Sequence, residues 1–383
     1  NFCGNKPIFC EVSVDGAIIA SAVPCVNNTA CLKQYQNPTS DPCAHSWAVT
    51  CTMDGASASA SGAYDMQISQ CTVFASTDKT RRRNCKLISG LLSGNPECIS
   101  FDGYSGGVDL DCAGKSITGS NSGTGVAAYN SPNSKVSNCA ISNLEFGVLL
   151  FSSPNSVVSA SSFTGGGASF IGVAANGSDS SIIEENTFSN GGMAIIISET
   201  DGAIIRGNDV TGFGTGVEMM ANSGGARISG NYFYGGTYGV SFKSDPNSGS
   251  VVYDNIFNQT GIFLPDSGGV SLTASLAGTN MLGCDAIGGN AWLWGADEGY
   301  SQTCANSNFD CFCDSPYVFQ TACPEGQSSC VSTTCPAGQT SCVVGDCGCN
   351  VALQGVSDLN PLFVPRKESF AVAQESINNV SLG

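Results

Sequence analysis

The sequence predicts an all-β solenoid, a parallel β-helix. Three observations carry this: a repeat of about 23 residues, short β-branched and aromatic segments within it, and an asparagine at one place in most units. Six units align as Val136–Ile141, Val158–Phe163, Ile183–Phe188, Ile205–Val210, Ile228–Phe233 and Val252–Phe257, and their last residues are spaced 22, 25, 22, 23 and 24 apart. Ile117, 24 residues before the first of these ends, marks an earlier coil.

Each unit carries the asparagine-containing segment and then a second short strand: Gly147–Leu150, Gly172–Ala175, Ala194–Ile197, Gly216–Met219 and Gly239–Phe242. These segments are too short for helices and are bounded by Gly, Asn and Ser turns. Stacked in register, Val148, Val173, Ile195, Val217 and Val240 form one inward row, and Leu150, Ala175, Ile197, Met219 and Phe242 a second. Asn186, Asn208, Asn231 and Asn255 fall in a further row at a corner, where each amide donates to one neighbour and accepts from the other.

The stretch Val108-Asp109-Leu110-Asp111-Cys112-Ala113-Gly114-Lys115-Ser116-Ile117-Thr118-Gly119, followed by Gly-Val-x-Leu and Asn-x-Phe coils, resembles the right-handed parallel β-helix repeat superfamily, including NosD-like and pectate-lyase-like secreted proteins. Asp358–Val364 resembles the closing coil of such proteins. The resemblance implies right-handed winding and, on the functional side, suggests polysaccharide lyases, hydrolases and epimerases. Neither the paired-Asp and Gly-His-Gly pattern of polygalacturonases nor the Asp-Pro-His-Asp pattern of alginate epimerases is present.

Twenty-one cysteines flank the repeat: nine from Cys3 to Cys98, two at Cys112 and Cys139, and ten from Cys284 to Cys349. Thiols concentrated in loop-rich flanks predict disulfides and an extracellular or cell-surface location. Cys311-x-Cys313 and Cys347-x-Cys349 lack ordinary zinc-knuckle spacing, and the single histidine, His45, supports no histidine cluster, so no metal or other cofactor is expected. No apolar run is long enough to span a membrane. Asn1-Phe2-Cys3 reads as a mature or trimmed terminus. Sequons at Asn27, Asn176, Asn258 and Asn379 predict N-glycosylation. The organisation reads as a Cys-rich cap or small domain over 1–100, the β-helix over 101–283, a Cys-rich insertion over 284–350 and a closing coil or tail over 351–383.

A net charge of −17 argues against nucleic acid, anionic membranes and polyuronates as partners. The outward positions of the second strand include Leu149, Phe151, Ile196 and Met220, an exposed apolar set that implies a cover, from the chain's flanks or from another subunit. The catalytic pool is thin: Lys243, Glu218 and Arg227 are the candidates, and Lys243 with Glu218 reads more readily as a surface ion pair. Asp109 and Asp111 alone make a weak Ca²⁺ site, and His45 reads as packed beside Trp47. The sequence thus predicts a secreted structural protein of a cell surface or filament, self-associating or bound to other surface proteins. The alternative is a carbohydrate-active enzyme or glycan-binding module on the β-helix flank around Glu218, Lys243 and Arg227.

Overall fold

The structure is a computed structural model. It describes residues 8–14, 17–25, 45–53, 56–64, 66–74, 79, 80, 82–93, 96–220, 222–243, 249–263, 276, 277, 286, 287, 289–293, 300–307, 312–315, 317, 318, 357 and 358.

The repeat winds into three parallel sheets. The first sheet has nine strands, Met66–Ile68, Arg83–Leu87, Val108–Asp111, Lys135–Ser137, Val157–Ser159, Ile182–Glu184, Ile204–Arg206, Arg227–Ser229 and Val251–Tyr253, each paired with its predecessor one coil away. The second runs from Leu91–Leu92 through Ser116–Thr118, Ala140–Ser142 and Ser162–Thr164 to Tyr232–Tyr234, Ile256–Asn258 and Ala291–Leu293. The third runs from Thr72–Phe74 through Glu97–Asp102, Thr124–Tyr129, Phe146–Phe151 and Ile171–Asn176 to Tyr238–Phe242 and Gly261–Phe263. Two long strands, Thr187–Ser198 and Asp209–Met219, pass through the corner between the second and third sheets and belong to both. The Ile-x-x-Asn-x-Phe segment is therefore two strands and not one, because the residue before the asparagine adopts left-handed backbone and turns the chain. Asn138, Ala160, Glu185, Gly207, Gly230 and Asp254 occupy that position with φ between 48° and 64°.

Side chains of one type stack along the interior. Leu110, Val136, Val158, Ile183, Ile205, Ile228 and Val252 pair in register on the first sheet. Both inward rows of the third sheet have the register expected from the sequence, and every member is buried. The second sheet supplies rings: Phe163 stacks on Phe188 at 4.8 Å, Phe233 on Phe257 at 5.2 Å and Phe257 on Trp292 at 4.7 Å. Each such burial contributes roughly 1.5–3 kcal/mol.

The glycine that opens each third-sheet strand makes room for these rings. A Cβ on Gly172 would lie 2.6 Å from the Phe188 ring and 2.6 Å from the Ala194 carbonyl oxygen, and one on Gly216 would lie 2.6 Å from the Phe233 ring. Ala194 holds the equivalent place in the coil whose next ring position is Val210 in place of a phenylalanine, so its methyl is accommodated.

The amide column is present and longer than expected. Asn186 Nδ2 donates to Asn208 Oδ1 at 3.1 Å, Asn208 Nδ2 to Asn231 Oδ1 at 2.9 Å, Asn231 Nδ2 to Asn255 Oδ1 at 2.9 Å and Asn255 Nδ2 to Asn290 Oδ1 at 3.0 Å. Backbone N–H groups join it too, and Ser161 continues the column upstream by accepting from Cys139 N at 3.0 Å. A hydroxyl column at the corner between the third and first sheets runs parallel to it: Ser131, Ser153 and Ser178 N–H groups donate to Ser153 Oγ, Ser178 Oγ and Thr200 Oγ1, each at 3.0 Å. The two columns satisfy backbone donors that the corners withdraw from the sheets.

The array extends past both expected boundaries. Parallel coils begin at Met66, ahead of residue 101, and Ala291–Leu293 adds a strand beyond 283. Residues 8–64 instead contain an antiparallel sheet in the order Ala17–Cys25, Ile8–Val14, His45–Met53, Ala56–Tyr64. Cys71–Cys98 and Cys112–Cys139 staple successive coils, Cys304–Cys313 closes a short loop, and Cys10 and Cys85 are also disulfide-bonded. Of the C-terminal expectations, Ser357–Asp358 pairs antiparallel with Tyr317–Val318, while the rest of the closing coil and the repeated phrases of 321–342 lie outside the described residues.

Candidate functional site: the outer face of the third sheet

Regular pairing aligns the outward residues of the third sheet into rows. One row is Ala127, Leu149, Ala174, Ile196, Glu218 and Ser241, and the next is Tyr129, Phe151, Asn176 and Ser198, with Met220 following. Leu149 and Ile196 are half-buried, whereas Phe151 and Met220 are 44% and 37% exposed. A third row, which sequence reasoning missed, places Phe146, Ile171 and Met193 half-buried on the outside. Strict alternation from Val148 predicts Phe146 inside, but Gly147 and Val148 both face the core, and that bend turns Phe146 outward.

The upstream end of this face is organised by Tyr129. Its hydroxyl donates to Glu97 Oε1 at 2.6 Å, and its ring lies 6.2 Å from that of Phe151. Glu97 faces Thr124, five residues before Tyr129 on the neighbouring strand, so the phenol spans Ala127, which is fully buried. Burial, then the hydrogen bond to Glu97 and the negative charges of Glu97 and Asp102, push the Tyr129 phenol up to about 12. Asn130 Nδ2 donates to Asp102 Oδ1 at 3.0 Å.

At the downstream end Lys243 Nζ stands 3.8 Å from Glu218 Oε2 and 5.9 Å from the centre of the Tyr238 ring. Burial raises the Tyr238 phenol. With Lys243 well exposed, an ion pair of this kind contributes well under about 1 kcal/mol. Arg227 does not join them: it lies on the first sheet, beside Ile204 and Val251, around the corner from Glu218. The three catalytic candidates therefore do not converge. On the first sheet's outer face, by contrast, Arg82 pairs with Asp109 and Arg206 with Glu184.

Asn176 is part-exposed at the end of its strand, a position that leaves its side chain reachable. Asn258 is fully buried and its Nδ2 donates to Tyr232 Oη at 3.2 Å, so a glycan there requires the side chain to leave this position. Asn27 and Asn379 lie outside the described residues, and the His45 side chain is not described.

Three parallel sheets around stacked aliphatic, aromatic and amide columns, stapled by disulfides between coils, define the class: a right-handed parallel β-helix. Residues 64–294, more than half of the chain, match the model of the family described as periplasmic copper-binding protein (NosD), and the chain belongs to that family. Comparison with curated proteins and with solved structures returns no match. No helix among the described residues is long and apolar enough to cross a membrane.

Among the described residues of the matched span, the side chains do not fit copper. That span holds no histidine, and five of its six cysteines, Cys71, Cys85, Cys98, Cys112 and Cys139, are disulfide-bonded, while Cys284 lies outside the described residues. Met219 points into the core, while Met193 and Met220 stand in different outward rows. Among the described residues no group of three or more His, Cys, Asp or Glu side chains converges. The soft or imidazole donors that copper requires are not assembled among the described residues there.

Proposed function

We propose that the chain is a structural protein outside the cytoplasm, secreted or held at the cell surface, whose third-sheet outer face is covered by a partner in the working assembly. The partner is another copy of the chain or another surface protein. The observation that carries this reading is the apolar field formed by Leu149, Ile196, Phe146, Ile171, Phe151 and Met220, laid flat by in-register strands. The disulfide staples and the periplasmic description of the family support the location. N-glycosylation at Asn176 belongs to the same reading and is tested by the mass shift on glycosidase treatment.

Phe151 and Met220 are both exposed and both react readily with hydroxyl radicals, so they report directly on cover. Radical footprinting of the protein in its native surface material, compared with the purified chain, is expected to show both residues protected in the former. Equal modification of both residues in the two preparations refutes the reading.

A further inference from the structure

Building on the reading of the third sheet as a covered face, we infer that its occupant is a short cationic, apolar polypeptide segment and not a second copy of this chain. Charge and area carry the argument. The apolar field is bordered by acids: Glu145 precedes its second strand and Glu199 and Asp102 stand at strand ends, Asp102 accepting from Asn130, while Glu218 downstream is paired with Lys243. Glu145 and Glu199 are exposed and form no ion pair among the described residues. On the first sheet the equivalent acids, Asp109 and Glu184, are matched by Arg82 and Arg206. The third sheet therefore leaves Glu145 and Glu199 for an incoming group to match.

A second copy brings the same acids to the same border, in a chain of net charge −17, so the two faces repel as they approach. The face is also small. Five coils about 4.8 Å apart, crossed by strands of six residues rising about 3.3 Å each, give roughly 400 Å². A stable protein pair buries roughly 800 Å² on each partner, about twice that. A segment presenting alternate Lys or Arg and apolar side chains fits both limits. Its apolar side lies on Leu149, Ile196 and Phe151, and its cations reach Glu145 and Glu199.

The test uses the full oxidised chain and a labelled peptide of about eight residues alternating Lys and Leu, long enough to cross the face. A Glu and Leu peptide and an oligolysine of equal charge serve as controls, with binding read by fluorescence anisotropy at low and physiological salt. The Lys and Leu peptide is expected to bind, to weaken as salt rises, and to bind about tenfold less tightly to the double variant Glu145→Lys with Glu199→Lys. Phe151→Ser is expected to weaken it without changing the salt dependence. Equal binding of oligolysine, indifference to the Glu145 and Glu199 changes, or no binding at all overturns the proposal. Reversible dimers that protect Phe151 overturn the partner class while leaving the covered-face reading intact. Failure of that reading shows separately, as an unprotected face in the native material.

Discussion

Asn208 sits in the middle of the amide column, and alanine in its place removes five hydrogen bonds at once. Its Oδ1 accepts from Asn186 N at 3.0 Å and Asn186 Nδ2 at 3.1 Å. Its Nδ2 donates to Ile183 O at 2.9 Å, Arg206 O at 3.1 Å and Asn231 Oδ1 at 2.9 Å. Three of these neighbours keep other partners, since Asn186 Nδ2 still reaches Val158 O, Asn231 Oδ1 still accepts from Asn208 N, and Arg206 O still accepts from Glu185 N at 3.1 Å. The Asn186 N–H does not, and leaving a buried donor orphaned costs about 1–3 kcal/mol. With the side-chain donor to the Ile183 carbonyl lost and the cavity left behind, Asn208→Ala is expected to cost about 2–4 kcal/mol. Asn208→Ser is expected to cost about half of that, because Ser161 already fills the equivalent place and accepts a backbone N–H.

Asn208→Asp adds a charge and a sign. The carboxylate faces the Ile183 and Arg206 carbonyls with no proton to give, so its folded pKa rises above the usual value of about 3.9. The destabilisation is complete above the folded pKa and is relieved as pH falls through it, because the protonated acid can donate. Urea unfolding of the oxidised chain by far-UV circular dichroism, at neutral and acidic pH, measures all three variants. An Asn208→Ala protein within about 0.5 kcal/mol of the parent, or an Asn208→Ser no better than it, refutes the column as a source of stability.

Gly172→Ala is expected to destabilise by about 1–3 kcal/mol through contact with the Phe188 ring, and Phe188→Val is expected to restore part of the loss, reproducing the Ala194 and Val210 arrangement; a double-mutant cycle in urea checks the coupling. Replacing Cys112 and Cys139 together by serine is expected to cost about 2–4 kcal/mol, read as a lower urea midpoint under nonreducing conditions. Tyr129 keeps its proton to about 12, whereas an unfolded tyrosine loses it near 10, so the stabilising hydrogen bond to Glu97 is present below 10 and is lost as pH rises towards 12. A phenolate absorbance titration of the parent and of Tyr129→Phe checks this: the variant should lack one step near 12.

Much of the interior was legible in the sequence because it is periodic. The rows through Val148 and Leu150 and the asparagines at 186, 208, 231 and 255 are all found at the register their spacing implies. The fifth rung, Asn290, was hidden because it lies 35 residues after Asn255, outside the period. The hydroxyl column was available: Ser131, Ser153, Ser178 and Thr200 are spaced 22, 25 and 22, the same intervals as the coils. Serine is so common in turns that the signal does not stand out by residue type. Coils before residue 101 were concealed by irregular lengths, and the parallel pairings of Met66–Ile68 with Arg83–Leu87 and of Thr72–Phe74 with Glu97–Asp102 reveal them.

The alternation of apolar residues and the length of each unit determined which side chains face inward, since a side chain's side of a strand is a property of the local backbone. Which outer residues are kept apart was decided by the corners of the winding. The coil period already put Lys243, 25 residues on, beside Glu218, but Glu218 and Arg227, only nine residues apart in the chain, lie on different sheets. Neighbours on the surface of a solenoid are a whole coil apart, and the corners between them, bent by left-handed residues and held by Asn and Ser columns, set where each coil returns.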